Sequence, residues 1–259
     1  MNVLAFGMIA LSLVSASLAG PPDPPDPTAV FAKTWPTAAP ILYFITAEQL
    51  SRLASLKSSE ARTLPYASLD VLAQARQAKA AFARSGCTGP LEGDTESTDQ
   101  PKPEEFAEWP FRRKPVAFLG RVEKLAPGWA LEPAAPETGL VHTLVTVTVT
   151  EVLRDEANHL SPGSRVSFLE QQIGSFTFEG VTFCTRNPEL VAVSIGNTVA
   201  VSGEWGEANG RDVLDNASIL IVTGTRAIPT VRTVSGVTLA PVDLDRLRAA
   251  AADDSARGD

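Results

Sequence analysis

The spacing of apolar residues changes along this chain. From Val3 to Leu18 almost every position is apolar or small. Between Thr46 and Ser85 the apolar residues recur three and four apart: Leu50, Leu53 and Leu56, then, beyond Pro65, Val71, Ala75, Ala78 and Phe82. That is helical spacing. Thr46 and Gln49 fit a capping box, with Ile45 and Leu50 as the matching hydrophobic staple, so a first helix begins at Thr46. A second runs from Ser68 to Ser85, with Gly86 placed as its C-cap just before Cys87.

From Pro115 the period becomes two. Val116, Phe118, Gly120 and Val122 alternate with other residues, and Val145, Val147 and Val149 alternate with Thr146, Thr148 and Thr150. Alternation of this kind marks a strand with one buried face. Further strand signals are Val166 with Phe168, Phe176 and Phe178 leading through a Glu179-Gly180 turn to Val181 and Phe183, Val199 with Val201, and Ile219 to Val222. About five or six strands therefore fall in roughly 110 residues, with no segment long enough for a crossover helix, which predicts an antiparallel sheet. A small closed or nearly closed barrel would hide its edges. Near the end, Asp243 opens a short helix with Leu244 and Leu247 on one face.

The organisation expected is a signal peptide at 1–19, a Pro-rich leader at 20–45, a helical pair at 46–86, an acidic linker at 87–114, a β-barrel at 115–223 and a tail with a short helix at 224–259. Ser17 and Ala19 supply the small residues of a secretory cleavage site after Ala19, so the expected location is secreted or periplasmic. The alternative is an uncleaved anchor, because Met1-Asn2 carries no basic residue. No other stretch is apolar for long enough to span a bilayer, so no integral membrane segment is expected after cleavage.

Composition narrows the function classes. With 22 basic and 30 acidic residues the net charge is −8, which disfavours nucleic acid and anionic membranes as partners. The two cysteines, Cys87 and Cys184, form one disulfide in an oxidising compartment. The other reading is two separate structural thiols. Neither stands in a Cys-x-x-Cys, so a catalytic redox pair is not indicated.

The barrel segment carries a series of short motifs: Phe118-Leu119-Gly120-Arg121-Val122, Val147 through Arg154, Leu160-Ser161-Pro162-Gly163-Ser164-Arg165-Val166, and Ile195-Gly196-Asn197. In this order they resemble the secreted bacterial relatives of the tissue-inhibitor-of-metalloproteinases, or netrin-like, family over residues 116–222. The resemblance implies an OB-like barrel and an exported protein. The expected fold class is thus mainly β with α appendages: a small antiparallel OB-like β-barrel, preceded by a helical pair and followed by a short C-terminal helix. Inhibitors of that family chelate a catalytic zinc through an N-terminal Cys. The expected start after cleavage is Gly20-Pro21-Pro22, so this mechanism is not implied.

Motifs for catalysis are sparse. His142 and His159, the two histidines, stand in no zinc-binding spacing, and no metal or other cofactor is expected. The chain has neither a G-x-S-x-G elbow nor a phosphate-binding Walker loop. Glu170, Glu179 and Glu204 read first as solvent-facing. Trp129 and Trp205 are read as loop residues beside strands, placed for a partner or for packing over a barrel end. Asn216-Ala217-Ser218 is a glycosylation sequon. The expectation is an exported, non-enzymatic protein that binds another exported protein. The alternatives are a protease inhibitor acting through a surface other than its N-terminus, and a hydrolase with a site near His142 or His159.

Overall fold

The computed structural model describes residues 31–33, 42–56, 66–85, 87, 107–131, 140–170, 174–185, 190–208, 211–230, 233–234 and 237–253. The segment expected to be a signal peptide, most of the expected Pro-rich leader, Gly86 and residues 88–106 of the expected acidic linker lie outside them. The protein is mainly β and antiparallel, with four helices among the described residues. In chain order the elements are β1 (Phe31–Lys33), β2 (Leu42–Thr46), α1 (Ala47–Ser55), α2 (Tyr66–Ser85), α3 (Trp109–Arg113), β3 (Val116–Leu131) and β4 (Leu140–Asp155). There follow β5 (Arg165–Glu170), β6 (Gly174–Phe178), β7 (Val181–Thr185), β8 (Thr198–Ala208), β9 (Arg211–Thr223), β10 (Arg226–Pro229), β11 (Thr233–Val234), β12 (Val237–Thr238), β13 (Val242–Asp243) and α4 (Leu244–Ala252).

Strand β3 organises the sheet. One of its edges pairs with β4 along nearly its whole length, and the other pairs with β8 from Val116 to Arg121 and with β2 from Gly128 to Leu131. β4 passes on to β5, and β8 to β9, β10 and β13. Register shifts at three places along β3 bend and twist it, as bulges do. Gly120 permits the tightest part of this path: a Cβ there would overlap Val147 Cγ1 and stand 2.7 Å from the Thr148 carbonyl oxygen. The sheet curls until β5 and β9 pack together, but no ladder joins them among the described residues. The barrel expected from the sequence is therefore an open, curled sheet with no closed ring.

Two apolar layers use the two faces of the central strands. Val116, Phe118, Val122, Val145, Val147, Val149, Val199 and Val201 fill the concave interior with Val166 and Phe168 of β5. Ala117, Leu119, Ala200 and Leu220 face outward beneath Phe111 of α3 and Leu244 and Leu247 of α4. This explains why Ala117, Leu119 and Ala200, which stand between the interior residues of β3 and β8, are apolar as well. The helical cover is held by charge as well. Arg154, buried on β4, donates to the carbonyls of Arg112, Lys114, Ala250 and Asp253, and the buried Glu108 carboxylate pairs with Arg112 and Arg246.

A third layer lies at the far end of β3 and β4. There α1 and α2 pack on the β6–β7 hairpin, enclosing Ile45, Leu50, Phe82, Trp129, Phe176 and Phe183. The capping box is complete: the Gln49 N–H donates to Thr46 Oγ1 at 3.2 Å, and the Thr46 N–H to Gln49 Oε1 at 2.9 Å. Cys87 is bonded to Cys184 of β7, so the disulfide ties the end of α2 to the hairpin. A 97-residue separation corresponds to about 4–5 kcal/mol of stabilisation in the entropic treatment of cross-links.

Candidate functional site

The two tryptophans proposed from sequence are far apart and differently used. Trp129 is a strand residue, opposite Ile45 of β2 and Val141 of β4. It is 1% exposed, with Phe82 and Phe183 edge-on at 5.9 and 5.5 Å. Its place is the aromatic core, and its indole N–H has no hydrogen-bond partner among the described residues. The loop position expected for it is therefore not observed: Gly128, just before it, lets β2 cross closely, since a Cβ there would overlap the Ile45 carbonyl.

Trp205 is also in a strand, β8, opposite Leu214 of β9 and just past the bulge at Ser202 and Glu204. Its ring is half-buried, resting on the end of the concave core. Asp155, the last residue of β4, holds it: the Trp205 Nε1–H donates to Asp155 Oδ1 at 3.1 Å. The other carboxylate oxygen accepts the Leu160 N–H at 2.6 Å, and the Asp155 carbonyl accepts the Asn158 N–H at 3.2 Å. Asn158 takes the left-handed conformation, φ 56°, which Asn tolerates better than most residues. The loop therefore wraps around Asp155 and brings the exposed His159 ring to 5.3 Å from Trp205. Beyond it, the Ser161–Ser164 turn is closed by the Ser164 N–H donating to the Ser161 carbonyl and is pinned to Val149.

In chemical terms this cluster positions an aromatic surface. Both oxygens of Asp155 already hold N–H donors, so the carboxylate orients the indole and the loop. His142 lies at the other end of β4, 4% exposed and opposite Gly128, so the structure does not bring the two histidines together. No three His, Cys, Asp or Glu side chains converge as a metal site among the described residues. Glu204 is exposed, the side chains of Glu170 and Asn216 lie outside those described, and Asn216 belongs by its backbone to β9.

Glu179 has a different task. It occupies the β6–β7 turn at φ 44°, followed by Gly180 at φ 79°, the pair of positive angles that a two-residue hairpin favours. Arg76 and Lys79 of α2 grip its two carboxylate oxygens, each at 2.8 Å. The Lys79 ammonium first, and then the Arg76 guanidinium, hold its carboxyl below the ordinary range. Sequence reasoning missed both Asp155 and this clamp. The only local signals were an Asp at a strand end before Asn158, and a non-glycine residue in the first turn position. No family model, curated protein or solved structure matches this chain.

Proposed function

We propose that the protein is an exported, non-enzymatic binding module on an OB-like sheet, which engages another exported protein through the end of the sheet that carries Trp205. The OB-like reading is supported by strand order. β5, β4, β3, β8 and β9 follow one another through antiparallel pairs, so β5 and β9 run in the same direction where they pack together. Such an order supports the reading of a partly open Greek-key barrel. Export is supported by the long-range disulfide, a bond that persists in oxidising compartments, together with the apolar N-terminal run.

The observation that carries the binding reading is the way Trp205 is held. Asp155 fixes the indole at the nitrogen while His159 stands against its ring. An aromatic anchor fixed before binding loses little rotamer freedom when a partner covers it. A photo-crosslinking residue at position 159 should give one discrete adduct with an exported protein of the source cell, and Trp205→Ala should abolish it. The same probe at Ile195, an exposed residue before the start of β8, should give none. Equal labelling at both positions would overturn the assignment. So would esterase, glycosidase or peptidase turnover that is lost in His159→Ala.

A further inference from the structure

The β6–β7 hairpin is fastened to α2 at two places. Glu179, at its turn, is held by Arg76 and Lys79, and Cys184, on its second strand, is bonded to Cys87 just past the helix. Beside that bond lies an open groove of about 430 Å³. Phe82 and Ala83 of α2 form one wall, Gly180, Val181 and Thr182 the other, and both cysteines line it. Cys87 is half-buried, whereas Cys184 is 6% exposed.

We propose that the Cys87–Cys184 bond is a site of thiol–disulfide exchange with an exported dithiol protein, which docks a short apolar segment in this groove and thereby loosens or locks α2 on the hairpin. This assignment is independent of the Trp205 surface. The groove gives a protein segment access to the bond, and Phe82, Ala83 and Val181 offer such a segment apolar contact that a small, strongly hydrated thiol does not use. The partner's thiolate attacks Cys87 Sγ, which belongs to the more exposed of the two residues. The Cys87–Cys184 bond breaks, Cys184 leaves as a thiolate, and a mixed disulfide joins the partner to Cys87. The partner's second thiolate then attacks its own sulfur in that mixed bond and releases Cys87. Two electrons pass from the partner dithiol, which becomes a disulfide, and the two protons its thiols lose end on Cys87 and Cys184.

The placement of the bond makes such exchange reversible. It joins α2 to a two-stranded hairpin that shares no ladder with the main sheet among the described residues, so its loss leaves the β3–β4 and β8–β9 pairings intact. The packing of Phe82 with Phe176 and Phe183, with the Glu179 clamp at its rim, meanwhile keeps the hairpin beside α2 after reduction. The two thiols remain at high effective concentration for reoxidation. Reduction loosens the contact between Phe82 and Phe183, whose rings lie 4.7 Å apart.

The oxidised full-length protein can be tested without denaturant, using a reduced Cys-x-x-Cys protein of thioredoxin type as one probe and dithiothreitol as the other. Alkylation and intact mass follow the reaction. Thr182→Trp fills the groove from an exposed position, and Ala83→Trp is a second plug on the opposite wall. The expected result is that either plug slows reduction by the protein probe about tenfold or more and leaves dithiothreitol reduction within about threefold. Reduction should also speed amide exchange in α2 and β7 while β3, β4 and β8 stay protected. The proposal is overturned if the bond resists both probes until the whole chain unfolds. It is equally overturned if both probes respond alike to the plugs, which marks a binding-independent accessible disulfide, or if reduction deprotects the main sheet.

Discussion

The concave sheet interior and the helical side layer are both dry apolar cores, yet they are held in different ways. Inside the sheet the residues are mostly Val, delivered by strands that are already hydrogen-bonded to one another, so the ladders align the core before any side chain is chosen. In the side layer an aromatic cluster of Phe82, Trp129, Phe176, Phe178 and Phe183 packs with aliphatic residues, and the contributions arrive from four separate places: β2 with α1, α2, the ends of β3 and β4, and the β6–β7 hairpin. No ladder links α2 to the hairpin. The layer has instead a disulfide, an ion clamp and five ring contacts. Where backbone hydrogen bonds do not fix the geometry of a core, covalent and charged fasteners take over.

The most severe break of this contrast is expected from Phe183→Ala. Phe183 is fully buried and touches Phe82, Trp129, Phe176 and Phe178, so denaturant titration should show a loss of about 3–5 kcal/mol. Val147→Ala in the sheet interior should lose less, about 2 kcal/mol, because fewer atoms leave the core. If the valine change were the more damaging, the side layer would not be the aromatic-dependent half. Replacing both cysteines by serine is expected to lower stability by roughly 2–4 kcal/mol, with amide exchange rising in α2 and β7 ahead of β4.

Smaller effects refine the picture. Thr46→Ala removes an N-cap and its reciprocal bond to Gln49, which should lower stability by about 1 kcal/mol. Glu179→Gln breaks an ion clamp at the surface and is expected to change stability by less than about 1 kcal/mol. Its pH signature is the sharper test. Because the folded carboxyl is held below its ordinary value of 4.5, the clamp contributes fully above that value and is lost as pH falls through the lowered one. Acid should therefore deprotect the hairpin turn in the wild type, and the glutamine variant should show no such change.

Legibility from sequence followed the same division. The capping box at Thr46, the Val-Thr alternation of β4, the Glu179-Gly180 turn and the pairing of the cysteines are local or compositional signals, and each corresponds to an observed feature. β2 and its neighbour β1 were hidden inside a segment read as a Pro-rich spacer, because their pairing depends on β3, which lies far along the chain. Trp129 was misplaced for a related reason: Pro127 and Gly128 are turn residues in isolation, and only the crossing of β2 explains a glycine there. The site around Trp205 was half legible. The tryptophan was noticed, but Asp155 acquires its role only when the end of β4 meets β8.

The position of Arg154 has a consequence for the order in which the chain matures. As the polypeptide emerges, this guanidinium is made 96 and 99 residues before two of its acceptors, the carbonyls of Ala250 and Asp253. Until α4 arrives, a cation destined for burial has only part of its hydrogen bonding, and such a charge resists desolvation. The convex face of the sheet thus stays unsealed through most of synthesis. Docking of α4 both covers the apolar residues of that face and adds two acceptors to one side chain, so burial of the Arg154 charge and closure of the convex face happen together.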